Sequence, residues 1–206
     1  MSHPAKTPDR TWTYADYCTW PEDERWELID GVAYDMTPAP TRQHSLIAGS
    51  LFRQFGNFLE GKPCEAHIAP FDVRLPRGKE KDAEVVSVVQ PDVVVVCDEK
   101  KLDDKGCRGA PDLVVEVLSP STASKDHIRK KRLYEQHGVK EYWLVSPTDR
   151  ILTIYRLGKN GEYGVPEVHG DSETVEVKRF PGLTIDLTRV FPPLPKVVRE
   201  SPRRYL

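Results

Sequence analysis

Hydrophobic and polar positions change rhythm several times along this chain, and each rhythm predicts an element. Two valine-rich runs, Val93 to Val96 and Leu113 to Val117, are apolar, β-branched and bounded by Gly, Pro and Asp. Such runs read as strands buried on both faces. Each is opened by a Pro-Asp step, Pro91-Asp92 and Pro111-Asp112. Thr41 caps a predicted helix to about Glu60, whose apolar residues Ile47, Leu51, Phe55, Phe58 and Leu59 follow helical spacing. Upstream, Thr13-Tyr-Ala-Asp16 has the form of a capping box with Asp in the acid position, and predicts a short helix. Residues 25–29 and 32–36 flank Asp30-Gly31, the pair that supplies the positive φ angles of a type I′ turn. A β-hairpin follows from that.

Alternation through Ala66, Ile68 and Phe71 to Leu75 predicts another strand or two. Residues 77–84 form a charged loop, 85–89 a short strand, and 98–109 a polar loop. Past Thr122 a helix reaches about His137 and is closed by Gly138. Strands at 140–145 and 151–157 are joined by a turn through Pro147 and Arg150, and shorter strands follow near 164–168 and 174–179. Pro38 and Pro40 interrupt the chain before the long helix. The pattern holds no repeat. It divides the chain into a flexible lead-in (1–12), a single domain (13–191) and a Pro/Arg-rich tail (192–206).

Composition narrows this picture only slightly. With 206 residues, 38% hydrophobic, and a net charge of −2, the chain has enough material for one full core. No apolar run has the length of a membrane span and no signal-peptide core is present, so a cytoplasmic protein without membrane contact is expected. Cys18, Cys64, Cys97 and Cys107 are scattered without a Cys-x-x-Cys pair, which predicts reduced, zinc-free cysteines. The near-neutral charge is no global signature of nucleic-acid binding. Any such role must rest on local patches.

Candidate chemistry begins with Glu116, a carboxylate inside an apolar strand. Such a group is costly unless paired, hydrogen-bonded or metal-bound. Asp92, at the mouth of the neighbouring run, can converge on it, and paired carboxylates at a strand end suit Mg2+ or Mn2+. Glu27 is a second carboxylate beside an apolar neighbour. At about 100° per residue, Lys130 falls in a helical stripe with His127, Leu133, Tyr134 and His137. There it can position a water and neutralise a phosphorane. Lys125, Arg129, Lys131 and Arg132 spread around the rest as candidate nucleic-acid contacts; the competing reading is a solvated basic helix. His44 continues the apolar stripe of its helix, either as a core-edge histidine or as a member of the cleft. Ser119 and Ser121 lack a Gly-x-Ser-x-Gly elbow and read as strand-end and cap residues.

An ordered set of motifs then carries a resemblance. Glu-Leu-Ile-Asp-Gly (27–31), His44, Gln-Pro-Asp-Val (90–93), residues 112–121, Lys130, Tyr134 and residues 138–145 occur in one order. In these the chain resembles the Uma-type family of restriction endonucleases, within the PD-(D/E)XK nuclease superfamily, from about Thr13 to Val190. The resemblance implies an α/β, restriction-endonuclease-like core: a mixed central β-sheet flanked by α-helices, with an added N-terminal hairpin and C-terminal strands. It also implies a homodimer. Asp92 and Glu116 match the motif acids and Glu27 the N-terminal acid, all three as metal ligands. Gln90, His44 and Tyr134 match positions that can orient them. The superfamily lysine belongs two residues after the acid, where this chain has Leu118; Lys130 matches the helix lysine that takes its place. The implied function is a Mg2+-dependent endonuclease, with Mn2+ able to substitute, hydrolysing DNA. Glu27 assists and Lys130 aids water attack. The alternatives are a catalytically inactive nuclease-fold protein binding nucleic acid or a protein partner, and a hydrolase of RNA or another phosphodiester. No methyltransferase partner is identifiable.

Overall fold

The computed structural model describes residues 10–21, 23–36 and 39–193. The lead-in before residue 10, Pro38, and the tail from residue 194 lie outside the described residues. In chain order come α1 (Tyr14–Tyr17), the hairpin β1 (Trp26–Ile29) and β2 (Val32–Asp35), the long helix α2 (Arg42–Leu59), β3 (Glu65–Ile68) and β4 (Val73–Arg74). Next are β5 (Val88–Val89), β6 (Val93–Val96), β7 (Leu102–Asp103), β8 (Gly106–Arg108) and β9 (Leu113–Val117). A π-helical turn, Lys125–Lys130, runs into α3 (Lys131–His137). Then follow β10 (Glu141–Ser146), β11 (Ile151–Arg156), β12 (Glu167–Gly170), β13 (Thr174–Glu176) and β14 (Thr184–Asp186).

Local signals account for the caps and turns. The Thr13 hydroxyl accepts from the Asp16 N–H while the Asp16 carboxylate accepts from the Thr13 N–H, so the box closes with Asp in the acid position. Asp30 and Gly31 adopt φ of 52° and 79°, as a type I′ turn requires. A Cβ on residue 31 would also lie 2.4 Å from Thr11 Cγ2, so this turn needs glycine twice over. Trp12 donates its N–H to the Gly31 carbonyl at 2.8 Å, which docks the end of the predicted lead-in.

Among the described residues, two six-stranded sheets and one strand pair form. The central sheet has the order β12-β11-β10-β9-β6-β3. It is mixed, as expected, because β9 and β10 are parallel while the other neighbours are antiparallel. All four valines of β6 are at most 1% exposed. Val93 and Val95 join Ile47, Leu51 and Phe55 of α2 in one core; Val94 and Val96 join Leu133 and Tyr134 of α3 in another. A period of two in one strand therefore feeds two cores, which is why no polar residue interrupts it.

The second sheet, β2-β1-β5-β4-β8-β7, contributes Ile29, Tyr34, Val73 and Val89 to that second core. It thus stacks over the face of β9 on which Glu116 lies.

Three expectations are corrected. The loop predicted at 98–109 contains β7 and β8, because Gly106 (φ 115°) lets the chain pass against residue 72, whose carbonyl oxygen would sit 2.2 Å from a Cβ there. The helix predicted from Thr122 at α spacing passes almost at once into the π-helical turn before it becomes α3. Cys64 and Cys97, read as reduced, form a disulfide: they flank the antiparallel pair β3–β6, which brings together cysteines 33 positions apart in sequence. Cys18 and Cys107 are free.

A cross-link closing a loop of this size stabilises mainly by restricting the unfolded chain. The double variant Cys64→Ser/Cys97→Ser should therefore lose about 3 kcal/mol in urea denaturation of the oxidised protein. Wild type measured in dithiothreitol should fall to the variant's value. Equal stability of the oxidised wild type and the variant would show that the bond adds nothing.

Candidate active site

The stacked sheets leave a cleft of about 400 Å3 lined by Gln90, Asp92, His44, Glu116, Lys125, Asp126 and Lys130, with Ser119, Ser121 and Thr122 along its edge. Each acid arrives from a different element. Glu116 points from β9 with Val114, as the period of two predicts, and is 4% exposed. Glu27 comes from β1 of the second sheet and is 0% exposed. Asp92 precedes β6, and Asp126 and both lysines come from the π-helical turn.

Burying an unpaired carboxylate costs several kcal/mol, so Glu27 and Glu116 persist only through their partners. Lys130 Nζ lies 2.6 Å from Glu27 Oε1 and 2.9 Å from Glu116 Oε1, bridging the two sheets. Lys125 Nζ donates to Glu27 Oε2 at 2.7 Å, and the Gln90 N–H reaches Glu27 Oε1 at 3.1 Å. Tyr134 OH donates to Glu116 Oε1 at 2.8 Å, so Glu116 Oε2 takes neither of these bonds. Asp92 is fixed at both oxygens. Its Oδ2 accepts the Val117 N–H at 2.7 Å, and its Oδ1 stands 2.7 Å from His44 Nε2. His44 is therefore in the cleft.

The π-helical turn explains the lysine pair. In an α-helix, residues five apart diverge by about 140°; a turn closed from i to i+5 returns them to one side. Lys125 and Lys130 both reach Glu27 as a result. The sequence places Lys125 among outward cations, whereas here it is only 7% exposed. Arg129 and Arg132 do stay exposed. Lys131 Nζ lies over the Tyr155 ring at 5.1 Å. The Ser119 and Thr122 hydroxyls bond each other at 3.0 Å, consistent with a cap.

Sequence reasoning missed Asp126, whose one visible signal was its position four residues before Lys130. It is 2% exposed, and its Oδ1 lies 3.8 Å from Lys130 Nζ. It also missed what holds Gln90. That side chain donates to Asp72 Oδ1 at 2.9 Å and Tyr17 OH at 3.1 Å, and accepts from Arg25. These partners lie up to 73 positions away in sequence, beyond any local pattern.

Charge is distributed unevenly. Burial works to raise Glu27, but the Lys130 and Lys125 ammonium groups outweigh it and pull the carboxyl down to about 2. Burial pushes Glu116 well above the usual carboxylate range; Lys130 opposes this, while Asp126 and Asp92 add to it. Burial works against the Lys130 charge, but Glu116, Glu27 and Asp126 prevail and hold it well above an ordinary lysine. Burial and then Glu116 raise Tyr134, which keeps it a neutral donor.

Asp92 and Glu116 offer hard oxygens to a divalent cation, and although burial is the main cause that raises Glu116, the negative charges of Asp126, Asp92 and Glu27 add to it and are what a cation would offset. Among the described residues, no three His, Cys, Asp or Glu side chains are set to share one ion. Mg2+ commonly takes one or two carboxylates, with water and substrate phosphate filling the remainder, so the pair fits. Glu27, with both oxygens on lysines, does not face such an ion in this arrangement.

Comparison with known proteins gives a family and a shared fold. The pattern of the Uma2 family, described as "Putative restriction endonuclease", matches residues 14–188. An uncharacterized protein of Synechocystis is 30% identical over 166 residues, covering 79% of this chain and 83% of its own length. A crystal structure described as a putative nuclease belonging to DUF820, from Anabaena variabilis, superposes with a TM-score of 0.68 at 19% identity. It covers 87% of this chain and 97% of its own. Among the described residues, no helix is long and apolar enough to cross a membrane.

The two buried glutamates should respond oppositely to loss of charge. Glu27 lies below its ordinary 4.5, so its contribution to stability is complete above about pH 4.5 and disappears as pH falls toward 2. Glu116 is raised, so its ionisation in the folded protein costs stability as pH rises. In EDTA at pH 7, Glu27→Gln should lower unfolding free energy by about 3 kcal/mol and flatten the acid limb below pH 4.5. Glu116→Gln should lower it not at all. Urea titrations across pH check this, and an equal loss in both variants would contradict it.

Proposed function

The chain belongs to the Uma2 family, and on that premise we propose that it is a divalent-metal-dependent endonuclease hydrolysing DNA phosphodiester bonds. The observation that carries this reading is the place of Lys130. The position two residues after Glu116 is Leu118, yet an ammonium from the following turn reaches the Glu116 carboxyl at 2.9 Å. Acid and lysine are thus adjacent without being adjacent in sequence.

Asp92 and Glu116 would hold Mg2+, with Mn2+ able to substitute. Bound there, the ion supplies charge neutralisation at the phosphate and a more acidic water. The chain's own groups do the rest. The Val117 N–H and His44 orient Asp92, and Tyr134 and Lys130 orient Glu116 through Oε1. Lys130, with three N–H donors and two carboxylate partners, can hold a water for attack and stabilise negative charge on the phosphorane. Glu27 assists by anchoring Lys130; it would join the ion only if the lysines released it. Exposed Arg129 and Arg132, with Lys131, supply local positive charge that offsets the net −2.

One observation favours a second reading, a nuclease-fold protein that binds without cutting: Leu118 stands where the superfamily has lysine. One set of samples separates the two. Mn2+ is titrated calorimetrically into wild type, Asp92→Ala, Glu116→Ala and Lys130→Ala while supercoiled plasmid nicking is followed. Under the nuclease reading, both acid variants lose metal binding. Lys130→Ala weakens it no more than Tyr134→Phe does but nicks about 10²–10³-fold more slowly. Tyr134→Phe, which frees the Glu116 carboxyl, should weaken Mn2+ binding about tenfold or more. Wild type that binds DNA in chelator and never nicks it, across DNA and RNA substrates, supports the second reading.

A further inference from the structure

Lys125 is not explained by the chemistry above. Lys130 alone bridges the acids, yet a second ammonium stands beside it, 7% exposed and lining the same cleft. Its bond to Glu27 Oε2, at 2.7 Å, uses one of three N–H donors. Beside it stand Glu27 on β1, the charge of Asp126 in its own turn and, farther off, the Tyr34 ring of β2 at 5.7 Å. Arg129 lies 5.5 Å from the centre of that ring and donates to Tyr34 OH at 2.6 Å. Lys125 and Lys130 therefore line the cleft as two cations that both meet Glu27, while the exposed Arg129 meets Tyr34.

Resting on the nuclease reading, we propose that Lys125 is a second phosphate-binding cation of the cleft. Glu27 presents Lys125 and Lys130 side by side, and Lys125 takes a phosphate of the bound nucleic acid with its spare donors. A buried ammonium held on one carboxylate loses little further entropy on meeting an anion, which makes it a preorganised contact. The π-helical turn is the device that builds the pair, since α-helical spacing would point Lys125 away. The assignment gives Glu27 a task distinct from that of Asp92 and Glu116. It fastens cations.

The test uses full-length protein and a fluorescent 14-base-pair duplex, with Ca2+ as the hard cation. Lys125→Gln still donates to Glu27, so charge is removed while the contact stays; Lys125→Arg keeps the charge. A phosphate contact makes Lys125→Gln bind the duplex about five- to tenfold more weakly and lowers the slope of log K against log salt by about one. Lys125→Arg should keep the wild-type slope. Mn2+ affinity, measured calorimetrically, should stay within about threefold of wild type in both. A merely structural lysine would leave the salt slope unchanged, and that result overturns the proposal. Loss of Mn2+ binding in Lys125→Gln overturns it as well, by showing that the lysine acts through the acids. Inorganic phosphate is the second arm: binding weaker than the duplex supports a chain phosphate, and tighter binding overturns the assignment to nucleic acid. Wild type that neither binds duplex nor nicks plasmid removes the nuclease reading itself. Wild type that does both, with Lys125→Gln indistinguishable from it, removes this inference alone.

Discussion

One buried ammonium connects the parts of this molecule. Lys130 sits between Glu27 of the second sheet and Glu116 of the central sheet, within 2.9 Å of both. Apolar contacts between the sheets set their distance but not their register, because hydrophobic burial is non-directional. The lysine adds direction. Glu27 stays charged in its buried position because that ammonium and Lys125 stand beside it, and the same ammonium opposes the effect of burial on Glu116. The stacking of the sheets and the shape of the cleft are therefore coupled at one side chain.

Several local features serve that arrangement. The π-helical turn lets Lys125 share Glu27, so that Glu27 is fully compensated and Lys130 is free to serve Glu116 as well. Tyr134, buried and neutral, bonds the same Glu116 oxygen from α3. Gln90 ties the segment before Asp92 to the Glu27 strand through its N–H and to Asp72, Tyr17 and Arg25 through its amide. Each acid is thus held by groups from a different element. A site built that way keeps its geometry only in the folded chain.

The same division explains the unequal charge of the acids. Glu27 meets two cations and stays ionised. Glu116 shares one cation with Glu27 and Asp126, and burial, helped by neighbouring negative charge, drives it toward its neutral form. The cleft thus stabilises the charge of one carboxylate and opposes that of another.

Much of this was legible in the residues alone. Continuous apolar runs bounded by Pro-Asp marked β6 and β9, Asp30-Gly31 marked the hairpin, and Thr41 and Gly138 marked helix ends, because these signals act over a few residues. Glu116 in an apolar strand stood out by its energetic cost, and the ordered motifs pointed to Asp92, Lys130 and Tyr134, which the folded chain places beside it. Contacts between distant segments and departures from regular geometry were decided only by the tertiary structure. The Cys64–Cys97 bond depends on the pairing of β3 with β6, and the Gln90 network joins residues up to 73 positions apart. Lys125 turns inward because the chain takes a π-helical turn where periodicity assumes an α-helix. Periodicity reports which face a residue occupies if the local geometry is regular. Where packing bends that geometry to bring charges together, only the folded chain shows the result.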